Sequence, residues 1–170
     1  MLLVVSILLK VVAAALLVRI AWRDFTTQKI SNSDVLLLLC LGVGSLQLAA
    51  SVAGSWWDMG LSAIAAFALF VGLFPFWVLR KVGAGDVKLM AVTPFLMGGT
   101  LLAVFSVLLL VFALATAMLV KNPFLLPAGA FRVYVQHLDR KRVVPFGVPI
   151  SAAAICTIAL QITYSLNVVS

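Results

Sequence analysis

Long apolar runs broken by short polar stretches dominate this chain. The pattern predicts six helical segments, at 2–22, 35–53, 59–79, 87–97, 101–120 and 144–166. Five of them reach the roughly 20 residues that an α-helix needs to cross a bilayer. The fourth stops short at Gly98 and Gly99, and by length it suits a re-entrant or core segment as well as a crossing.

Charge placement arbitrates, because every crossing reverses the side of all later loops. If all six segments cross, one side receives Arg23, Lys29, Arg80, Lys81, Lys121, Arg132, Arg140, Lys141 and Arg142, with Arg19 and Lys88 just inside adjoining helix ends. The opposite connections, 54–58 and 98–100, hold no Lys or Arg, and Lys10 alone departs from the bias. The expectation is therefore an all-α integral membrane protein, a single domain over residues 1–170. It is a six-transmembrane-helix bundle with both termini outside the cytoplasm and the functional loops cytoplasmic. The first segment reads as a retained helix, since its basic residues follow the apolar run and do not precede it.

Composition closes off other classes. With 170 residues, 65% of them hydrophobic and 10% charged, and a mean hydropathy of +1.25, a soluble domain, a disordered chain and a fibrous repeat are excluded. The net charge of +7 raises nucleic acid as a partner, but the basic residues lie where topology needs them. No nucleic-acid partner is expected; the lipid bilayer is. Cys40 and Cys156 lie in apolar runs without a CxxC spacing and read as small buried apolar residues.

All five acids are Asp. Asp34 and Asp58 open predicted helices, where unpaired N–H groups and the helix dipole favour a carboxylate, so both read as caps. Asp139 sits among Arg140, Lys141 and Arg142 as loop charge balance. Asp86 follows Gly83-Ala84-Gly85 and opens a helix; taken alone, it suits a cap as well as a functional role. The glycines are more than a cap needs, and would allow close approach of an extended peptide. Asp24 has the weakest structural explanation, because it lies at a helix C-terminus whose carbonyls repel negative charge. Two carboxylates on one membrane face can hydrolyse a peptide bond. One ionised Asp takes a proton from water while a protonated partner polarises the carbonyl. From helix ends alone, Asp86 is expected to be the more ionised and Asp24 to hold the shared proton.

At these residues the sequence resembles the type IV prepilin peptidases, GxGD-class intramembrane aspartyl proteases. Gly83-Ala84-Gly85-Asp86-Val87-Lys88-Leu89 is similar to the family's GxGDxKL signature. Asp24, followed by Ile30-Ser31-Asn32, resembles the family's other catalytic Asp and its IPN-like element, with Ser31 in place of the frequent Pro. Pro145-Phe146-Gly147 resembles the PFG motif at the start of the last helix.

The resemblance implies catalysis by Asp24 and Asp86 without metal or cofactor, with Gly83, Gly85, Lys88, Pro145, Phe146 and Gly147 as substrate-binding residues. It further implies a prepilin or pseudopilin substrate, cleaved on the cytoplasmic side of a bacterial inner membrane after a short basic leader that typically ends in Gly. The paired CxxC motifs of the bifunctional members are missing. The chain therefore looks like the short, peptidase-only branch associated with Flp-type tight-adherence pili, with no methyltransferase activity expected. The alternative is a non-enzymatic ion-coupled transporter or pilus assembly subunit, in which the Asp residues bind or relay cations. Such a role favours acids near the middle of the bilayer, whereas these two lie at cytoplasmic ends.

Lys10 lies about 21 Å along the first helix from Asp24 and is expected to snorkel outward, with a polar contact inside the bundle as the alternative. Residues 128–140 have the spacing of an interfacial helix. His137, the single His, makes no metal site. No GxSxG, HExxH or GxxxxGK element occurs.

Overall fold

The computed structural model describes residues 1–122, 135 and 145–169. Six helices and one 3₁₀ turn make up the described chain, with no strand among them. They are α1 (Leu2–Thr27), α2 (Asn32–Ala53), α3 (Trp57–Val78), α4 (Ala84–Met97), the 3₁₀ turn Gly99–Leu101, α5 (Leu102–Lys121) and α6 (Gly147–Val169). All but α4 are long and apolar enough to cross a membrane. The expected interfacial helix at 128–140, with His137 and Asp139, lies outside the described residues.

Helix ends depart from hydropathy ends for a local reason. The apolar run of α1 stops at Trp22, yet its backbone ladder continues to Thr27, ending at Gln28 in the left-handed conformation with its N–H donating to the Asp24 carbonyl. Asp24 is thus held one turn inside the helix. Apolarity marks what lipid tolerates; hydrogen bonding decides where the helix stops.

The shortest helix is the most enclosed. α4 packs against α2, α3 and α6, and buries Val87, Leu89, Val92, Thr93, Leu96 and Met97. Of these, Leu89, Val92, Leu96 and Met97 join Ala13, Leu17 and Ile20 of α1, Leu38 of α2, and Ile150, Ala153, Ala154 and Ile158 of α6 in one core. The methyl side chains of Ala153 and Ala154, both fully buried, allow α6 to lie close to its neighbours.

Polar contacts pin both ends of α4. At its start, Lys88 Nζ donates to Asn32 Oδ1 (3.0 Å) at the head of α2. At its finish, Gly98 has φ +81°, a left-handed value suited to glycine, and the next turn meets the head of α3. There the Asp58 carboxylate accepts the Thr100 N–H (3.0 Å) and hydroxyl (3.3 Å). α4 therefore runs the length between the α1–α2 turn and the head of α3, about 21 Å at 1.5 Å per residue.

The cap reading of two Asp residues needs revision. Neither α2 nor α3 has a side-chain cap hydrogen bond. Asp34, in the first turn of α2, is buried and binds Arg23 Nη1 (3.1 Å), with Arg19 Nη2 at 3.8 Å. Asp58 ties α3 to the 3₁₀ turn. Both carboxylates sit in a first turn, where the dipole favours them, but their oxygens serve tertiary partners.

Lys10 is buried and does not snorkel free, and the carboxylate whose charge acts on it is Asp58. Cys156 is partly buried, whereas Cys40 faces outward from the bundle, contrary to the expectation of burial.

Candidate active site

Three turns of chain converge at one end of the bundle: the end of α1, the α3–α4 connection and the head of α6. Between them lies a cleft of about 470 Å³ lined by both Asp24 and Asp86, with Gly83, Pro145 and Phe146. Six residues that sequence reading did not assign to the site also line it: Gln28, Trp77, Arg80, Lys81, Val82 and Ala84.

Asp24 meets an unexpected partner. Its Oδ2 accepts the Gly147 N–H at 2.8 Å, and the Val148 N–H reaches it as well. Both donors belong to the first turn of α6, at the positive end of its dipole. The negative end of α1 is therefore opposed by the positive end of α6, which offsets part of the cost of a charge at this position. This buried contact requires glycine: a Cβ at residue 147 would stand 2.8 Å from the Asp24 Cγ and Oδ2.

Asp86 occupies the third position of α4, and its carboxylate folds back onto the backbone N–H of Gly83, the N-cap. That is the reach-back half of a capping box. The structural and functional readings of this residue are thus compatible. Burial, followed by the negative charge of Asp24, pushes the Asp86 carboxyl up to about 6, and the Gly83 N–H opposes this in part. Asp24 thus accepts two backbone N–H groups and Asp86 one, a balance of donors that runs against the expectation drawn from helix ends alone. A helix end acts on a carboxylate through the donors it aims, and at Asp24 those come from a helix 123 residues away in sequence.

The six candidate substrate-binding residues fall into two groups. Gly83, Pro145 and Phe146 line the cleft. Gly85, Lys88 and Gly147 face its supports. A Cβ on Gly85 would lie 2.9 Å from the Ile30 Cβ, Lys88 binds Asn32, and Gly147 carries Asp24. The Ile30-Ser31-Asn32 element is thus clasped by Gly85 and Lys88, so two distant sequence elements lock together beside the carboxylates.

The additional cleft residues had weak signals in the sequence. Gln28 stands one helical turn beyond Asp24. Arg80 and Lys81 looked like topological charges alone. The chain leaves α3 through Arg80 at φ +56°, with the Lys81 N–H bonding to the Phe76 carbonyl, which swings Arg80 and Lys81 to the cleft.

The described residues thus form an all-helical bundle, mostly of helices long and apolar enough to cross a membrane, with two carboxylates lining one cleft. Residues 11–120 match the type IV leader peptidase family, and the chain belongs to that family. The match spans Asp24 and Asp86 and ends before Pro145-Phe146-Gly147. No curated protein and no solved structure matches the chain.

Proposed function

We propose that the protein is a prepilin leader peptidase, an aspartyl endopeptidase of the bacterial inner membrane that acts on prepilins or pseudopilins at the cytoplasmic face. The observation that carries this reading is the shared cleft of Asp24 and Asp86 within a leader-peptidase family match. Asp24, bound by the Gly147 N–H, takes a proton from the attacking water. Asp86 lends its proton to the scissile carbonyl oxygen, and a proton then passes to the departing amine. Both carboxylates return to their starting states as the leader leaves.

In this reading α4 is the sixth crossing. The run of α4 from the Asn32 end to the Asp58 end supports it, as does the gathering of basic residues at the cleft end. Short of the roughly 30 Å hydrocarbon thickness, α4 spans because neighbouring helices enclose it and keep its ends from lipid. A leader ending in Gly suits a cleft flanked by Gly83.

The test uses detergent-solubilised protein and a prepilin with a basic, Gly-ended leader, with leader loss followed by mass spectrometry. Cleavage should fall below detection in both Asp24→Ala and Asp86→Ala. Persistence in either folded variant would falsify the paired mechanism. Labelling of single cysteines placed in the 54–58 and 98–100 connections should occur from the outer side only; cytoplasmic labelling at 98–100 would remove the sixth crossing.

A further inference from the structure

α3 packs on α4, and α5 packs on α6, but no packed seam joins α3 to α5. The space between them is an apolar groove with α4 as its floor. Its outer half, about 340 Å³, lies between Ala65 and Ala68 of α3 and Ser106 of α5. Its inner half, about 210 Å³, runs on past Leu73 and Ala113. Met90 and Leu109 line both halves, so the two are continuous. The inner half ends at Val82, Asp86 and Phe146, and these three residues also line the catalytic cleft.

From this continuity we infer that the α3–α5 groove is the docking site for the apolar transmembrane helix of the substrate, delivering the bond beside that helix to Asp86. This rests on the peptidase reading above.

The shape of the groove selects its occupant. A polypeptide in a lipid-open apolar groove must satisfy its own backbone hydrogen bonds, so it must be helical. Between Leu102 and Ala113 the α5 wall is about 16 Å long, which is about three helical turns. Small residues at Ala65, Ala68, Ser106 and Ala113 let an incoming helix approach closely, which is how helices associate in lipid. Gly72, on the α3 face that carries Ala65 and Ala68, has open space where its Cβ would be.

A second apolar groove, between Val18 of α1 and Leu119 of α5, is a rival. Among the described residues it touches the cleft only through Pro145 and carries neither carboxylate. A helix seated there would reach the cleft behind the α6 head that holds Asp24. The α3–α5 groove opens onto Asp86 directly.

The probe is a synthetic substrate with a basic, Gly-ended leader followed by an apolar helix of about 20 residues bearing a single cysteine at successive positions. Enzyme lacking Cys40 and Cys156 carries one cysteine at Ala68 or Ser106, and oxidation traps contacts in liposomes. Crosslinks should recur every three to four substrate residues at both positions and be weak at Val18 or Leu119. Crosslinks concentrated at Val18 and Leu119, enzyme-to-enzyme crosslinks through Ala68 or Ser106, or no crosslinks because lipid fills the groove would each overturn the inference.

A kinetic arm is independent of the crosslinks. Ala68→Trp and Ser106→Phe should each lower by at least tenfold the kcat/KM preference for the helix-bearing substrate over its helix-free leader peptide; an unaltered preference overturns the inference. Cleavage of the helix-free peptide by Asp24→Ala or Asp86→Ala enzyme would instead remove the peptidase mechanism itself, so the two failures are separable.

Discussion

Gly147→Ala disturbs the cleft while leaving both carboxylates in the chain. The added Cβ would stand 2.8 Å from the Asp24 Cγ and 3.0 Å from its Cβ. Carbon atoms rest comfortably at about 3.5–4.0 Å, so the gap must open by about 0.7 Å or more. α6 is poorly placed to yield, because Ala153 and Ala154 are fully buried against the core. Asp24 therefore moves, and its 2.8 Å bond from the Gly147 N–H lengthens or breaks. A hydrogen bond to a charged group contributes about 1.5–3 kcal/mol, which corresponds to roughly ten- to 150-fold in rate. Misplacement of a catalytic group by about 1 Å costs on the order of a hundredfold. Both routes lead to a fall in kcat of about ten- to a hundredfold, with a much smaller change in KM because the cleft walls stay in place. The assay is leader cleavage by detergent-solubilised protein, with thermal unfolding in the same detergent as the check on folding. A folded Gly147→Ala enzyme with wild-type kcat would refute the role of this contact.

Other perturbations separate catalytic from structural groups. Asp86 binds its proton more tightly in the fold (about 6) than an ordinary carboxyl (3.8), so the acid form is lost as pH rises through about 6. kcat/KM should decline across that range, and a flat profile between pH 5 and about 8 would contradict the assignment of Asp86 as acid. The same sign governs stability: the contribution of Asp86 is most favourable below about 4 and is lost as pH climbs past 6, a dependence that Asp86→Asn should flatten in thermal melts. Asp34→Asn and Asp58→Asn should each destabilise the fold by about 1–2 kcal/mol while kcat stays within about threefold, since their partners are Arg23 and Thr100; loss of cleavage by either folded variant would place it in the chemistry. A double-mutant cycle on Lys88→Met and Asn32→Ala should return a coupling of about 0.5–1 kcal/mol in stability, and additivity would show that the 3.0 Å contact holds nothing together.

What the sequence determined by itself was the apolar character of the long helices, the six helical segments found among the described residues, and the two carboxylates that come to share a cleft. These are local properties. A run of apolar residues states its own preference for lipid, basic residues mark one face, and in a chain with five acids each can be weighed where it stands. The same locality explains where the sequence reading went astray. Asp34 and Asp58 looked like caps because their partners, Arg23 and Thr100, come from other segments. For Gly85, Lys88 and Gly147, offered by the family resemblance as substrate contacts, the close fit to Ile30, Asn32 and Asp24 is a further role that leaves no mark in linear spacing. The balance of hydrogen-bond donors at the two carboxylates turned on the N–H of Gly147, brought to Asp24 by packing of α6 on α1. Tertiary structure alone could decide these points, since a carboxylate responds to the dipoles and charges within a few ångströms of it, whatever their distance along the chain.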